Sequence, residues 1–416
     1  MGEIMNSSND HLSGGVAAPT GPLTGMTVID MSTMMAGPHT AMLMADFGAT
    51  VIKIEKPGEG DPSRGSPMRV KGTSIWWRVL GRNKYSVTLN LKHPEGRKLL
   101  LRLAETADVL IENMRPGKLE ALDLAPETLH AVNRGLVILR ITGWGQDGPY
   151  AKRATFGTQA EAMSGFTYQN GQEDGPPTLP PQTIADGAAA YLGSFSAMAA
   201  LWRRDHDPER RGQVIDLSLF EALFCMFGPN ASAYDQFGAV PGRRGSRSSV
   251  SVPRNLYRCS DGKYVAISCA NETIVERLLT AIGRPEMYEE PAYSTIEARN
   301  ANVDELDAVI QGWMLQRTSD DVIAHLNRSG ATASPVYSIA DIFEDPHFKS
   351  RGLIAAAPTE DIGPLRMQNV FPRMNETPGA LRWAGRPLGA DNHMWLVDKL
   401  GLTEADLERL SADGVI

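Results

Sequence analysis

The sequence predicts an α/β protein built on a parallel sheet, and three observations carry that prediction. Residues 26–55 alternate as strand, helix and strand, with the apolar runs MTVIDM and TVIKIE joined by a helical segment that opens at Ala36-Gly37-Pro38. Such a βαβ unit places its two strands parallel. Further apolar runs at 108–112 and 136–141 alternate with helical patterns in the same way. After Phe227 the pattern changes to a hairpin and several helices, which predicts a smaller second domain.

Composition and charge exclude several classes of protein. With 416 residues, 42% of them hydrophobic, the chain is long enough for two folded domains. Its net charge of −8 argues against a nucleic-acid partner. The three cysteines, Cys225, Cys259 and Cys269, match no zinc-ligand spacing and predict free thiols in a reducing cytoplasm. We expect no membrane span, because no apolar run reaches about 18 residues, and residues 1–20 are interpreted as a disordered tail without signal-peptide features.

The elements of the large domain follow in order. The first strand, 26–31, leads into the turn MSTMMAGP, which lacks the G-x-G-x-x-G fingerprint and so argues against dinucleotide binding by that route. The second strand covers 50–55. Residues 94–107 have the leucine spacing of an amphipathic helix, and strands follow at 108–112 and 136–141.

Polar residues follow the predicted strands, at the end of the sheet where open α/β proteins bind their ligands. Lys56 opens the loop after the second strand, and Asn113-Met114-Arg115 forms the turn after the third. Between them lies the basic run Arg82-Asn83-Lys84, for which a solvated turn and a phosphate-binding grip are equally good interpretations.

Residues 178–223 form the predicted centre of the protein. A Pro180-Pro181 turn leads to Asp186 and then to a run of small and apolar residues, 187–202, that is typical of a buried helix. Asp186 is expected at or just before the first turn of that helix, where free N–H groups and the helix dipole favour an ionised carboxylate. Most aspartates in such a position only cap the helix. The small residues after Asp186 also leave room for a large ligand, so a reactive carboxylate is the second interpretation.

The second domain begins with an arginine-rich segment. A hairpin is predicted at 255–268 and helices at 272–282, 296–316 and 320–327. Four arginines precede or open the hairpin without an intervening acidic residue: Arg243, Arg244, Arg247 and Arg254. Such a charge run is usually a solvated surface, but guanidinium groups also bind substrate carboxylates in a bidentate fork.

Eight segments, in collinear order from about Leu23 onward, carry a resemblance to a known family. They are VIDMSTMMAGP, FGATVIKIEKPGEGDPSR, GRNKYSVTLNL, ADVLIENMRPGKLEALDL, ITGWGQDGPYA, AMSGF, PPQTIADGAAAYLGSFSAMAAL and GQVIDLSLFEAL. Each is loose alone, but together they are specific, and the chain resembles the class III coenzyme A transferases, the family of formyl-CoA transferase and carnitine CoA-transferase. The resemblance implies an enzyme that moves CoA from an acyl-CoA donor to a carboxylic acid, with no metal and no tightly bound cofactor.

The resemblance also assigns roles by position. Asp186 matches the family's catalytic aspartate, which would pass through acyl anhydride and aspartyl-CoA thioester intermediates. The four arginines are a hypothesis for binding an anionic, dicarboxylic acceptor. A histidine and an arginine found in several relatives are Thr33 and Ala121 here. The positions that match CoA contacts are Ala36, Lys56, Arg82, Asn83, Lys84, Asn113, Met114 and Arg115.

Two other functions are weighed against transfer. The fold resembles that of α-methylacyl-CoA racemases, but Phe156 and Gly157 stand where a racemase has its His-Asp pair. Proton exchange at Cα needs two acid/base groups, so transfer is preferred. A non-catalytic CoA-binding protein is the other alternative, which the intact setting of Asp186 disfavours.

The resemblance finally implies an architecture. A Rossmann-like large domain would cover 21–225, a smaller α+β domain 226–335, and the segment 336–416 would return to the large domain. Two such subunits would form an interlocked homodimer in the cytoplasm.

Overall fold

The computed structural model describes residues 21–416, and the predicted tail at 1–20 lies outside them. Its strands are β1 (Thr27–Asp30), β2 (Thr50–Glu55), β3 (Arg69–Val70), β4 (Thr73–Ser74), β5 (Lys84–Thr88), β6 (Val109–Glu112), β7 (Val137–Thr142), β8 (Val214–Ser218), β9 (Arg254–Arg258), β10 (Tyr264–Ser268), β11 (Ala333–Pro335), β12 (Ile354–Ala357) and β13 (Leu365–Gln368). Its α-helices are α1 (Ala36–Asp46), α2 (Ile75–Leu80), α3 (Pro94–Ala104), α4 (Pro126–Val132), α5 (Gly157–Met163), α6 (Phe166–Gln169), α7 (Ile184–Asp205), α8 (Leu219–Phe224), α9 (Asn230–Phe237), α10 (Glu272–Ala281), α11 (Ile296–Ala301), α12 (Val303–Met314), α13 (Ser319–Arg328), α14 (Ile339–Glu344), α15 (Pro346–Ser350) and α16 (Glu404–Ala412). A π-helix spans His393–Lys399.

Six parallel strands form the central sheet in the order β5-β2-β1-β6-β7-β8. The side chains of β6 and β7, in the interior of the sheet, are buried on both faces, as a parallel sheet covered by helices requires. Leucines 99, 100 and 103 of α3 pack with Ile29, Ile52 and Leu110 in one apolar cluster. Gly193 of α7 lies against Leu139, so this helix approaches the sheet closely. The predicted α/β class with a parallel sheet is therefore confirmed.

The strand order fixes where a ligand site is expected. The chain runs outward from β1 through β2 to β5 and then returns to place β6 on the other side of β1. Helical connections therefore diverge at the carboxyl ends of β1 and β6. In open α/β sheets that divergence leaves a crevice in which ligands bind.

The C-terminal segment covers the sheet edge at β5. The Asp391 carboxylate accepts a hydrogen bond from the Ser86 N–H at 2.8 Å, and the Asn392 Oδ1 accepts one from the Thr88 N–H at 2.8 Å. The Trp383 Nε1 donates to the Lys84 carbonyl at 3.1 Å. These contacts satisfy backbone groups that an edge strand would otherwise expose.

The chain divides into two compact units. The first holds residues up to Glu161, Gln182–Met226 and Gly352–Ile416. The second holds Ala162–Pro181 and Phe227–Arg351. In the second unit, the antiparallel sheet β11-β10-β9 packs with α10, α12 and α13 around an apolar core that includes Tyr257, Val265, Leu278 and Ile310.

Several element bounds differ from the sequence expectation. β5 is a strand where a basic turn was expected, because its polar side chains find buried partners. The predicted helix 296–316 is divided between α11 and α12 at Asn302, whose Nδ2 bonds backbone carbonyls. The second unit also extends beyond 335 to Arg351, since β11 pairs with β10 and α14 and α15 follow it directly.

Helix α7 is long and apolar enough by length and composition to cross a membrane. Its Ala189, Ala190, Gly193 and Ala197 are nevertheless buried, and it packs against α1, α8, β7 and β8. We therefore interpret its composition as that of a helix packed on the sheet.

Candidate active site

The carboxylate of Glu161 caps the N-terminus of α7. Its Oε1 accepts hydrogen bonds from the N–H groups of Ile184 at 3.1 Å and Ala185 at 3.4 Å. Thr183, at the N-cap position, makes no side-chain capping bond. The capping role that the sequence offered for Asp186 is thus taken by a residue from α5, and Asp186 lies inside the first turn of the helix.

Asp186 lies where the first turns of α7 and α1 meet. The Ala36 N–H and the backbone N–H of Asp186 itself act on its carboxylate and lower its pKa. Gly157 approaches so closely that a Cβ at that position would lie 2.4 Å from the Asp186 Oδ2. On the other side, a Cβ on Gly187 would meet nothing within 4 Å. The carboxylate therefore has Gly157 close on one side and open space on the other.

The electrostatic setting makes Asp186 more basic than an ordinary aspartate. Burial raises its pKa from 3.8 to about 6; the Ala36 N–H opposes that shift, and the charge of Glu161 adds to it. The helix terminus alone predicted a carboxylate that ionises easily, so burial outweighs the dipole here. Above about pH 6 the group is still charged, as a nucleophile must be.

Two turns at the carboxyl ends of β1 and β6 are held together by Asn113. Its Oδ1 accepts from the Thr33 N–H at 2.8 Å, and its Nδ2 donates to the Thr33 carbonyl at 2.7 Å. Met34, with φ of +69°, donates its N–H to the Asp61 Oδ1 at 3.3 Å. The Asp30 carboxylate accepts from the N–H and Oγ of Ser32. This turn delivers the Ala36 N–H to Asp186.

The basic run after α2 lies in the interior. Lys84 is 1% exposed, and its Nζ donates to the Asp30 Oδ2 at 2.8 Å and to the Pro38 carbonyl at 2.6 Å. Arg82 binds the Asp46 carboxylate through Nε and Nη2, and its Nη1 donates to a backbone carbonyl. Asn83 is fully buried between Asp46 and backbone groups of the C-terminal segment. The solvated turn is wrong for these side chains, because all three are buried and each has an interior partner. The phosphate-binding role stays a prediction.

A cavity of about 230 Å³ opens at the carboxyl ends of β1, β2 and β5. Two of the predicted contacts, Lys56 and Met114, line it. Lys56 is 55% exposed and pairs with Glu59. Arg115 is exposed on the turn that follows β6. The complete lining is Met31, Thr33, Lys53, Ile54, Glu55, Lys56, Gly60, Asp61, Leu89, Asn90, Leu91, Lys92, Met114 and Leu122.

The segment 89–92 of that lining was missed in the sequence. It follows β5, and the alternation in KYSVT is the signal that predicts a strand there. Once β5 is recognised, the rule for ligand sites at strand ends points to Leu89–Lys92. Glu161 was missed as well, since nothing in its sequence neighbourhood marks a cap for a helix 23 residues away.

The four arginines of the second unit have different environments. Arg247 pairs with Asp304 and Asp307 at 2.8 Å each. Arg243 donates to the carbonyls of Gly175 and Tyr168, and Arg244 donates to Asn300 at 3.4 Å. Arg254 is exposed and lines a cavity of about 490 Å³ with Ser246, Ser268 and Thr332.

Within residues 21–416, no group of three or more His, Cys, Asp or Glu side chains is placed to hold a metal ion. A carboxylate, backbone donors and open space are the elements of nucleophilic catalysis on acyl groups.

Comparison with known proteins gives a coherent result. Residues 23–392 match the model of CoA-transferase family III. The chain is 39% identical over 399 residues to the succinyl-CoA–D-citramalate CoA-transferase of Chloroflexus aurantiacus, covering 96% of this chain and 99% of that one. It is 37% identical to the alpha subunit of a succinyl-CoA–L-malate CoA-transferase of Chloroflexus aurantiacus, over 95% and 92% of the two chains. The crystal structure of a CAIB/BAIF family protein from Brucella suis superimposes with a TM-score of 0.81 at 30% identity, over 91% of this chain and 99% of that one.

Proposed function

The chain belongs to CoA-transferase family III and is a CoA-transferase; from that premise we propose that it transfers CoA to a dicarboxylate through a covalent intermediate on Asp186. The observation that carries the proposal is the setting of Asp186: a carboxylate close to Gly157, with open space at Gly187 and with a pKa that burial raises. Transfer through this residue needs no cofactor.

Each step moves one acyl group or one thiol. The Asp186 carboxylate attacks the carbonyl carbon of the donor thioester, the C–S bond breaks, and a mixed anhydride and CoA thiolate result. The thiolate then attacks the aspartyl carbonyl of the anhydride, which releases the donor acid and leaves an aspartyl-CoA thioester. The carboxylate of the acceptor repeats the sequence in reverse, so the acceptor leaves as its CoA thioester and Asp186 is regenerated. The N–H groups at the helix starts are suited to stabilise the oxyanions that form at each attack.

We place CoA in the cavity at the ends of β1, β2 and β5. Lys56 and Lys92 stand exposed at this cavity and suit the phosphates of CoA. Asn113, Met114 and Arg115 form the adjacent turn, and Ala36 begins the helix that contacts Asp186. Buried Arg82, Asn83 and Lys84 would then act on CoA only through the turns they support.

A dicarboxylate acceptor with succinyl-CoA as donor is the substrate pair we propose. The relatives named above are described as acting on D-citramalate and L-malate, both 2-hydroxydicarboxylic acids. A dicarboxylate keeps one carboxylate free while the other reacts, and an arginine fork binds a carboxylate well. Of the four arginines, Arg254 is the one we favour, because it is exposed on a cavity while Arg247 is already paired with two aspartates.

One experiment tests the catalytic proposal. The protein is mixed with succinyl-CoA alone, treated with borohydride or hydroxylamine, and analysed by peptide mass spectrometry. We expect a covalent adduct on the peptide that contains Asp186, and release of CoA thioester of malate or citramalate when either acid is added. An unmodified Asp186 peptide with normal turnover refutes the proposal. A binding protein gives neither adduct nor product, and a racemase exchanges deuterium at Cα of a 2-methylacyl-CoA.

The substrate contact is tested separately. Arg254→Ala is expected to raise the KM for the dicarboxylate about tenfold or more while the KM for succinyl-CoA is retained. Arg244→Ala, a neighbouring exposed arginine, is the matched control. Unchanged KM for the dicarboxylate in Arg254→Ala removes this residue from the site.

We propose that the enzyme is an interlocked homodimer and that a second copy covers one side of α7. Four large apolar side chains lie exposed at helical spacing on that helix: Tyr191, Phe195, Met198 and Trp202. A contiguous exposed stripe of this kind marks a protein interface. Light scattering should give twice the chain mass of 45.2 kDa, and Phe195→Asp with Trp202→Asp should give the monomer mass. A wild-type monomer contradicts the proposal, and co-purification of a different chain would favour a heteromer.

The free state of Cys225, Cys259 and Cys269 supports a cytoplasmic location. Cell fractionation tests it: recovery with the membrane or with secreted protein would contradict this assignment.

A further inference from the structure

Glu161 is a buried carboxylate that the transfer mechanism does not use. It is 4% exposed and lies on α5. Its Oε1 binds the N–H groups of the two residues directly before Asp186. A negative charge at this place is compatible with the helix terminus, which carries partial positive charge. The same charge also acts on the carboxylate of Asp186, the proposed nucleophile.

The two carboxylates repel each other in the resting enzyme. The charge of Glu161 adds to burial in raising the pKa of Asp186 to about 6. When Asp186 becomes an anhydride or a thioester, its charge disappears, and the repulsion disappears with it. An interaction that is unfavourable in the resting state and absent in the intermediate lowers the barrier to forming that intermediate.

Other titratable groups on elements that pack against α7 do not have this effect on Asp186. They are His39 on α1, Glu221 on α8, Arg140 on β7 and Asp216 on β8. Burial and the nearby Lys84 and Arg82 lower the pKa of His39 to about 4, so it is neutral in the working range. Among the described residues, Glu161 is the charged group that shifts Asp186.

We propose that Glu161 is a positioning residue for the transfer reaction: it fixes the first turn of α7 and drives the Asp186 carboxylate towards its uncharged, acylated form. The inference rests on the proposed role of Asp186 as nucleophile. A side-chain oxygen that caps a helix is common and needs no second role. The test must therefore separate the repulsion between Glu161 and Asp186 from the capping of α7 by Glu161.

Three variants separate the two contributions. Glu161→Gln keeps an oxygen acceptor for the helix N–H groups and removes the charge. Glu161→Asp keeps the charge and withdraws the acceptor by one methylene. Glu105→Gln is the matched control, because Glu105 is exposed at the C-terminal end of α3.

The readouts are the pH dependence of kcat/KM and the fraction of Asp186 found as covalent adduct with succinyl-CoA. In Glu161→Gln we expect the acidic limb to move from about pH 6 to lower pH by roughly 0.5 unit or more, and the adduct fraction to fall. In Glu161→Asp, whose shorter side chain withdraws the charge together with the acceptor, we expect a smaller shift of the limb to lower pH and a fall in kcat. Glu105→Gln should match the wild type in both.

Failure of the proposed role of Asp186 and failure of the proposed role of Glu161 give different results. If the wild type forms no adduct on Asp186, the proposed nucleophile is wrong. If the wild type forms it, and the acidic limb and adduct fraction of Glu161→Gln coincide with the wild type, Glu161 is a cap and this inference is overturned. Should Glu161→Gln not fold, Glu161→Asp replaces it: an acidic limb that coincides with the wild type overturns the inference, because withdrawing the charge by one methylene must weaken the repulsion.

Discussion

Asp30 and Asp186 are two carboxylates near the start of α1, and the fold shifts their pKa values in opposite directions. Asp30 is fully buried, yet its pKa lies below the ordinary value: burial pushes it up, but Lys53 and Lys84 together outweigh burial. Asp186 is partly exposed, and its pKa is raised to about 6. Two lysines reach Asp30, whereas the charge that acts on Asp186 is a second carboxylate.

The difference separates a structural charge from a reactive one. A buried carboxylate paired with lysines is neutralised and hydrogen-bonded, so it holds its surroundings in place and is a poor nucleophile. Asp186 has no cation among the described residues to offset burial, so burial raises its pKa although backbone N–H groups lower it. In this protein the ion pairs of Asp30 with Lys53 and Lys84 shape the turn that leads to the Ala36 N–H. That N–H acts on the carboxylate of Asp186, which has no cationic partner in the part of the chain that the structure describes.

The largest expected effect concerns activity at Asp186. Asp186→Ala should reduce kcat by at least about 10³-fold, because the group that carries the acyl chain and then CoA is lost. The thermal midpoint should not fall, since Asp186 makes no ion pair among the described residues. Steady-state kinetics and thermal unfolding of one preparation measure both.

Asp30→Ala is the contrasting variant. It should lower stability strongly and leave any folded fraction with normal KM for succinyl-CoA. Retained turnover in Asp186→Ala, or a severe loss of stability there, would erase the distinction between the two carboxylates.

The second prediction tests whether Lys84 belongs to the interior or to CoA. Lys84→Met should lower the free energy of unfolding by about 3–5 kcal/mol, because it strips a buried aspartate of one of its cations. Lys56→Met, at an exposed lysine, should change it by less than about 0.5 kcal/mol and should weaken succinyl-CoA binding in a salt-dependent manner. Urea unfolding and the KM for succinyl-CoA are the measurements. A stable Lys84→Met with a raised KM would return Lys84 to the phosphate site.

The contrast also explains what the sequence can and cannot predict. Local patterns predict β2 at 50–55 to the residue, and α3 and β6 within a few residues, since the apolar spacing in these segments is undisturbed. The position of Asp186 at a helix start, with small neighbours, also follows from the sequence.

The roles of polar residues do not follow from local pattern. Arg82, Asn83 and Lys84 have the composition of a surface turn, and their buried partners, Asp46 and Asp30, come from segments about 37 and 54 residues away. Glu161 reaches the start of α7 in the same way, through the packing of α5. Pairing of charges across the fold is a tertiary property, so a positive run alone cannot distinguish a buried network from a ligand site.

The third and smallest expected effect is a gain in the free energy of unfolding when the charge of Asp186 is removed. Because the pKa of Asp186 rises from 3.8 to about 6 on folding, folding favours the protonated form; the stability that this provides is complete below about pH 4 and is lost as the pH rises through 6. Asp186→Asn resembles the protonated form at every pH. The variant should therefore equal the wild type near pH 4 and exceed it at pH 8 by on the order of 2 kcal/mol, somewhat less than the full shift implies because the carboxylate is partly exposed. Guanidinium unfolding at both pH values measures the difference. If Asp186→Asn is as stable as the wild type at pH 8, or less stable, folding does not disfavour the ionised Asp186 carboxylate. The reactivity of Asp186 would then need another source.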